Sequence, residues 1–232
     1  GATSGSHHTV ALSLLLGDRS LAVRCAAARA LGKAGDPAAV PPLMAALTAD
    51  RPLPHGVVGM AVLDLGTGAL PALRETVRDG SPAAQAVAAE QLGVHGDLTG
   101  SGVLESALAD LRRDLAVRRA AATALGRIGS PRSADALSRV LTLAGPASLR
   151  CAAAEALGRI GDPAALPALM AGLASPGVGV PVACADALVA LGPEGRELLT
   201  STAAAGGRAA GTAQAALDAV APVRLQRETA DV

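Results

Sequence analysis

Apolar residues recur at helical spacing in a segment that the chain contains three times. Residues 117–131 read VRRAAATALGRIGSP, residues 149–163 read LRCAAAEALGRIGDP, and residues 23–37 read VRCAAARALGKAGDP. In each copy the apolar positions fall on one side of a helix, and the Leu-Gly pair predicts the end of that helix. The Asp-Pro or Ser-Pro that follows predicts the start of a second helix, because Pro at the first helical position loses no hydrogen bond. The segment therefore predicts a helical hairpin that is repeated along the chain.

Leu-Gly pairs give the predicted number of repeats. Their glycines are spaced by 34, 27, 33, 32 and 34 residues by subtraction, and this period predicts six hairpins in one continuous array. One hairpin cannot bury its own apolar face, so the repeats must stack on their neighbours. The second and third repeats depart from the pattern, with a Pro-rich connection at 51–56 and a Gly-rich loop at 96–102. The six pairs end in Gly32, Gly66, Gly93, Gly126, Gly158 and Gly192.

The array is predicted to extend from residue 9 to residue 220 as a single domain. Residues 1–8, GATSGSHH, are predicted to be a leftover of an expression vector, and both of their histidines are set aside. Residues 9–16 are predicted to be the second helix of a truncated first unit. Residues 221–232 are expected to form a polar C-terminal tail, because the terminal repeats of an array need a polar cap.

The sequence contains no Phe, Tyr or Trp, which argues against several kinds of ligand. Such a chain offers no aromatic cage for a quaternary ammonium group, no platform on which bases stack, and no Tyr acid or base. The formal net charge is zero, which also argues against nucleic acid as a partner. No uninterrupted run of roughly 18 apolar residues occurs, so no membrane span is expected. The Ala-, Gly- and Arg-rich composition predicts a bacterial protein from a high-GC genome, located in the cytoplasm.

The sequence around the fifth Leu-Gly pair resembles the HEAT repeat of phycobilisome-lyase-like proteins. Residues 149–169 match the pattern VRxxAAxALGxIGDPxAxPxL, and the first and fourth repeats also match it strongly. The resemblance covers nearly the whole chain. It implies an all-α fold, a right-handed α-solenoid of about six hairpins, whose second helices line a concave surface that serves as a platform for a partner. We therefore expect a non-enzymatic interaction scaffold or adaptor that binds a protein or peptide on this surface.

Basic residues recur at two positions of the repeat, and this recurrence predicts that their side chains brace neighbouring repeats. The first position holds Arg24, Arg118 and Arg150, and the second holds Lys33, Arg127 and Arg159.

Charged residues that the repeat does not require are the candidate partner-binding residues. Residues 111–160 contain nine Lys or Arg against three Asp or Glu, between two stretches in which acids predominate. This basic centre is either a solvated face or a site for an acidic or phosphorylated partner, which Arg binds in a bidentate way. The second helices carry mostly small residues on their predicted exposed face, interrupted by Asp135 and Arg139, which suits an amphipathic peptide. The candidate set is Arg74, Glu75, Arg78, Arg112, Arg113, Arg119, Arg132, Asp135 and Arg139.

The irregular second and third repeats allow a different function. Either a ligand site displaced the repeat pattern there, with His55, Asp64 and His95 as its polar residues, or the irregularity reflects relaxed packing. The alternative function is a HEAT-like lyase or biosynthetic enzyme, or a subunit of one, with a small-molecule pocket near these repeats. No catalytic residue, cofactor or metal site is predicted. No His is followed by Glu, as in the HEAT-like deoxyhypusine hydroxylases that bind iron, and neither His55 nor His95 has a ligand partner at helical spacing.

The three cysteines are predicted to be unpaired. Cys25 and Cys151 occupy the same repeat position several repeats apart, and packed helices lie about 10 Å from each other, so the two sulfurs are beyond disulfide distance. Cys184 belongs to the next repeat and is also expected to be too distant. We expect small, buried or half-buried thiols in a reducing compartment.

Overall fold

The computed structural model describes the backbone of residues 2–220 and the side chains of residues 8–220, and this part of the chain is built of helices and short turns. Fourteen α-helices follow one another, and no strand occurs among residues 2–220. The helices are α1 (Ala2–Leu15), α2 (Leu21–Ala34), α3 (Val40–Ala45), α4 (His55–Asp64), α5 (Leu70–Asp79), α6 (Pro82–Val94), α7 (Ser101–Ala109), α8 (Leu115–Ile128), α9 (Ala134–Thr142), α10 (Ala147–Ile160), α11 (Leu166–Leu173), α12 (Gly179–Ala190), α13 (Pro193–Ala205) and α14 (Ala210–Val220).

The helices of the six repeats form two layers. The first helices are α2, α4, α6, α8, α10 and α12, and the second helices are α3, α5, α7, α9, α11 and α13. Most successive first helices are in extensive contact, whereas α4 and α6, like successive second helices, touch each other less. Leucines from both layers fill the space between them; Leu125, Leu137 and Leu157 have no exposed surface, and each such burial stabilises the fold by about 1.5–3 kcal/mol. The predicted α-solenoid of helical hairpins is confirmed, and its handedness stays a prediction.

Short 3-10 helices join the two helices of most repeats, and the predicted Asp-Pro start signals lie in them. Asp36 Oδ1 accepts a hydrogen bond from the backbone N of Ala38 at 3.0 Å. Asp162 Oδ1 accepts one from the backbone N of Ala164 at 2.9 Å. These carboxylates satisfy amides that have no partner in the first turn, so both residues cap the start of the second helical segment in their repeats.

Every first helix is followed within two residues by a glycine in the left-handed conformation, and these glycines correct the predicted register of two repeats. Glycine adopts a positive φ at little cost because it lacks Cβ, and it therefore closes a helix. The intervals between the capping glycines are 31, 30, 33, 32 and 31 residues by subtraction, which is more regular than the spacing of the Leu-Gly pairs. The spacing of the Leu-Gly pairs places Gly66 and Gly192 at the same repeat position as Gly126. This placement is wrong, because Gly66 and Gly192 are capping glycines, and the capping position lies three residues after that of Gly126. The capping glycines are Gly35 (φ 68°), Gly66 (71°), Gly96 (63°), Gly129 (71°), Gly161 (72°) and Gly192 (88°).

A second glycine, three residues before the cap, lets neighbouring first helices approach closely. A Cβ atom on Gly126 would lie 2.6 Å from the Cα atom of Ala156 in the next first helix, which is too close for any side chain. The same kind of contact recurs at Gly32, Gly93 and Gly158. In α4 this position is occupied by Leu63, so α4 and α6 cannot approach in this way.

One of the two predicted arginine ladders braces the repeats. The guanidinium of Arg118 donates to the carbonyl oxygen of Leu108 at 2.9 Å, and that of Arg150 donates to the carbonyl oxygen of Leu141 at 2.8 Å. Arg24 donates to the carbonyl oxygen of Asp18 at 2.9 Å. Each of these arginines thus ties a first helix to the end of the helix or turn that precedes it, which confirms the prediction.

The second ladder does not brace the repeats. The side chains of Lys33 and Arg127 are exposed, and neither makes a hydrogen bond or ion pair with any residue that the structure describes. Arg159 forms an ion pair with Glu155 of its own helix, at 3.7 Å. The prediction is wrong at this position because these side chains lie on the exposed side of the first helix and bond to no group of the neighbouring repeat within the described residues.

The two ends of the chain add helices to the array. The helix α1 contains residues 2–8 of the predicted vector segment and residues 9–15 of the predicted helix 9–16. It packs against α2. The assignment of residues 1–8 to a vector stays a prediction, and the predicted tail 221–232 lies outside the described residues. No single helix in residues 2–220 is long and apolar enough to cross a membrane; α4 and the segment Gly66–Asp79 have sufficient length and hydropathy only together, and they meet at a bend of 113°.

Candidate functional site

A cavity lies on the outer side of the first helices. It has a volume of about 560 Å³, is partly open to solvent, and is formed by residues of α4, α6 and α8 or just before them. We call it the first-helix cavity. Its lining residues are His55, Pro82, Ala83, Ala86, Glu90, Asp114, Ala116, Arg119, Ala120, Thr123 and Arg127.

The helix α8 supplies one wall of the first-helix cavity and most of its polar groups. Asp114 starts this helix by accepting a hydrogen bond from the backbone N of Ala116 at 2.8 Å. Arg119, Thr123 and Arg127 follow at intervals of four residues, so they lie along one face of the helix. The helix α6 supplies Pro82, Ala83, Ala86 and Glu90, so this side of the cavity is lined mainly by small side chains.

Three of the four charged side chains that line this cavity form no bond with the rest of the described chain. Arg119, Arg127 and Glu90 are exposed, and none of them makes a hydrogen bond or ion pair within residues 8–220. His55 is exposed at the start of α4 and is likewise without a partner in that range. The cavity therefore presents two free guanidinium groups, one free carboxylate and an imidazole to whatever enters it.

A second cavity, of about 420 Å³, lies on the side of the second helices α7 and α9. It is lined mainly by apolar residues, of which Leu111 and Leu143 are 77% and 63% exposed. Arg139 at its rim forms an ion pair with Asp135 at 2.9 Å, one turn earlier in α9. This second-helix cavity is the surface on which the sequence analysis placed the partner.

Two of the predicted partner-binding residues are engaged inside the fold. The guanidinium of Arg74 donates to both carboxylate oxygens of Asp97, at 2.6 and 2.7 Å, and this bond raises the pKa of Arg74. Arg113 donates to the carbonyl oxygens of Val77 and Arg78 at 2.6 and 3.1 Å. Both side chains brace α5 against the repeats that follow it, so their guanidinium groups are occupied within the fold, and their role in partner binding stays a prediction.

The other predicted partner-binding residues are spread over different sides of the molecule. Arg112 is highly exposed and donates to Asp110 at 3.1 Å, which lowers the pKa of Asp110. Glu75 and Arg78 are exposed on α5, and Arg132 is exposed in the 3-10 helix before α9. Only Arg119 lines the first-helix cavity.

The three predicted ligand-site residues do not come together in one cavity. His55 lines the first-helix cavity, whereas Asp64 is exposed at the far end of α4. His95 follows the C-terminal end of α6, where its Nε2 atom is buried without a hydrogen-bond partner in the described chain. The sequence analysis missed Glu90, Asp114, Thr123 and Arg127. Arg127 was missed because its recurrence suggested bracing, although recurrence on an exposed helix face also describes a binding surface.

Metal ligation and reactive thiols find no support in the described residues. No three His, Cys, Asp or Glu side chains come close enough within this range to hold a metal ion. Burial raises the pKa of Cys184 to about 12, and it also raises the pKa of Cys151. The three cysteines are unpaired, as predicted.

Comparison with known families identifies the repeat. The family profile for HEAT repeats matches residues 70–147, and the profile for the PBS lyase HEAT-like repeat matches residues 23–49 and 149–175. A search of curated proteins gave no significant match.

Several solved structures resemble the chain. Human deoxyhypusine hydroxylase in complex with glycerol is 27% identical, with a TM-score of 0.45 over 90% of this chain and 83% of the other. The complex of CpcE and CpcF of phycocyanin lyase from Nostoc sp. PCC7120 is 21% identical, with a TM-score of 0.49 over 90% and 93%. An engineered protein is 20% identical, with a TM-score of 0.46 over 90% and 95%. On the evidence of the two family profiles and the helical array, the chain is a HEAT-repeat protein of the PBS lyase HEAT-like type.

Proposed function

We propose that the protein is a non-enzymatic interaction scaffold that holds a segment of a protein partner in the first-helix cavity. The observation that supports this proposal is a partly open cavity shared by three successive repeats, in which Arg119, Arg127 and Glu90 are free of partners within the described chain. The proposal moves the binding surface from the second helices to the first. On the second-helix side, Arg74, Arg113 and Arg139 are already engaged with groups of the same chain.

The dimensions of the cavity suit a segment of polypeptide. The part of α8 that lines the cavity runs from Ala116 to Arg127 and is about 16 Å long, which is the length of roughly five extended residues. Alanine side chains from α6 and α8 leave room for such a segment, and the free charged groups provide points of recognition. A bacterial cytoplasm remains part of this proposal, supported by the composition and by the unpaired cysteines.

Site-specific cross-linking distinguishes the two surfaces. A photoreactive amino acid at Thr123 would report on the first-helix cavity, and the same amino acid at Ala136 would report on the second-helix cavity. In lysate of the source organism we expect one protein to be cross-linked in near-stoichiometric amount at Thr123 and not at Ala136. Cross-linking at Ala136 alone would return the binding surface to the second helices, and cross-linking at neither position would refute the scaffold function.

A small-molecule function is the second candidate, because His55 lines the same cavity. A volume of about 560 Å³ lies within the range of roughly 300–1,000 Å³ that is typical of small-molecule sites. In this case the protein would be a lyase or biosynthetic enzyme, or a subunit of one. A metabolite that raises the melting temperature of the wild type, and loses this effect in His55→Ala, would support the second candidate over the scaffold.

A further inference from the structure

The wall that α8 contributes to the first-helix cavity carries an excess of free positive charge. Arg118, Arg119 and Arg127 all lie on α8, and the guanidinium of Arg118 donates to the carbonyl oxygen of Leu108. Arg119 and Arg127 have no partner in the described chain and both line the cavity. They are eight residues apart, which corresponds to about 12 Å along the helix axis.

Two carboxylates, Asp114 and Glu90, also line the cavity, so the formal charges of its lining sum to zero, and what distinguishes the wall from α8 is that its two arginines are unpaired within the described residues. Asp114 accepts the bond from Ala116 and lies at the N-terminus of α8, where the helix dipole already stabilises its negative charge. Glu90 on the opposite wall is the one free carboxylate among the lining residues. The free groups that a ligand meets are therefore two guanidinium groups on one side and one carboxylate on the other.

We propose that the segment held in the first-helix cavity is an acidic peptide segment, with two carboxylates that bind Arg119 and Arg127. Guanidinium groups favour carboxylates because they can donate two parallel hydrogen bonds to them. A separation of about 12 Å corresponds to about four residues of extended chain, so we expect two acidic residues about four positions apart. Glu90 would repel any further acidic residue of the segment that lies near α6. This repulsion fixes the direction in which the segment runs through the cavity. This inference rests on the scaffold function proposed above.

Selection from a displayed library of random peptides tests the inference without knowledge of the natural partner. We expect the wild type to select peptides with two Asp or Glu residues about four positions apart. The double variant Arg119→Glu/Arg127→Glu should bind these peptides at least about tenfold more weakly and should select Lys or Arg at the same positions. Raising the ionic strength from about 0.05 M to about 0.5 M should weaken the wild-type interaction, because salt screens exposed charges.

Two further variants control for net charge and for folding. The double variant Arg196→Glu/Arg208→Glu makes the same change in net charge at exposed arginines outside the cavity, and we expect it to bind the selected peptides as the wild type does. The double variant Arg119→Gln/Arg127→Gln removes the charges without reversing them and should also lose binding. Each variant should keep the wild-type melting temperature, because all four arginines are exposed.

The outcomes separate this inference from the scaffold function. Thr123→Met fills part of the cavity without adding charge and leaves the two arginines in place. Selected peptides that lack acidic residues but lose binding to Thr123→Met would overturn the acidic inference and leave the scaffold function standing. If no selected peptide loses binding to Thr123→Met, both are overturned. An equal loss of binding in the Arg196→Glu/Arg208→Glu variant would show that net charge, not the cavity, governs binding, and would also overturn the inference.

Discussion

The junction between α8 and α10 and the junction between α4 and α6 are equivalent in the repeat but are packed differently. At the first, Gly126 lies against Ala156, and the two helices are in close contact along their C-terminal halves. At the second, Leu63 takes the place of the glycine and Gln91 takes the place of the alanine. The contact between α4 and α6 is correspondingly less extensive. Two residues of the repeat are thus enough to decide whether neighbouring first helices pack closely.

Charged hydrogen bonds stabilise the irregular junction on its other side. Arg74 of α5 binds the carboxylate of Asp97, which is only 4% exposed, in the turn between α6 and α7. Arg113 binds two carbonyl oxygens at the C-terminal end of α5. The regular junction between α8 and α10 combines close helix packing with a single bracing arginine, Arg150. The comparison indicates that directed polar bonds replace close helix contact where the repeat pattern fails.

Removal of the Arg74 guanidinium should have the largest effect on stability. In Arg74→Met the carboxylate of Asp97 stays buried without its partner, which costs about 3–5 kcal/mol in comparable cases. The free energy of unfolding can be measured by urea denaturation. Arg78→Met is the matched control, because its side chain is exposed on the same helix, and we expect a change below about 0.5 kcal/mol. Equal effects of the two variants would contradict the bracing role of Arg74.

A methyl group at the regular junction should have the next largest effect. In Gly126→Ala the new Cβ would lie 2.6 Å from Cα and 2.8 Å from Cβ of Ala156, so the two helices must move apart. Overpacking of this kind costs about 1–3 kcal/mol. Gly102→Ala in α7 is the control, because no atom lies within 4 Å of its new Cβ, and Ala there should stabilise the helix by about 0.4–1 kcal/mol. A stabilised Gly126→Ala variant would refute the close contact.

The repeat architecture could be predicted from the sequence because it depends on local pattern. The signals of the Leu-Gly pairs and of the Asp-Pro starts depend only on the residues of one helix and of the turn that follows it. The register of the second and sixth repeats could not be predicted, because Gly66 and Gly192 have the same Leu neighbour as the packing glycines but serve as caps. The roles of the arginines could not be predicted either. The sequence does not distinguish Arg74 from Arg119, and only the fold brings Asp97 to Arg74 and places Arg119 at an open cavity.

Gln91 should destabilise the irregular junction by a smaller amount. This side chain is 9% exposed, and its Oε1 atom has no hydrogen-bond partner in the described chain. A buried polar atom without a partner costs free energy, so Gln91→Leu, which keeps the volume, should stabilise the protein by about 1 kcal/mol. In Gln85→Leu we expect no gain, because the amide of Gln85 donates to the carbonyl oxygen of Arg78. Urea denaturation measures both. A loss of stability in Gln91→Leu would show that its amide has a partner, such as an ordered water.

Replacement of the Cys184 thiol should have the smallest effect on stability at neutral pH. The pH dependence of this effect measures how well the interior around Cys184 in α12 excludes water. Burial raises its pKa from an ordinary value of 9.0 to about 12 in the folded protein, so the unfolded chain loses this proton first as the pH rises. The stability due to the protonated thiol is therefore complete below about pH 9 and falls between about pH 9 and 12. The difference in unfolding free energy between the wild type and Cys184→Ala should decrease over this range. Cys151→Ala should show a weaker decrease, because Cys151 is only half-buried. If the difference in unfolding free energy between the wild type and Cys184→Ala does not depend on pH, water reaches this thiol in the folded state. The interior around α12 would then exclude water no better than the junction at Gln91.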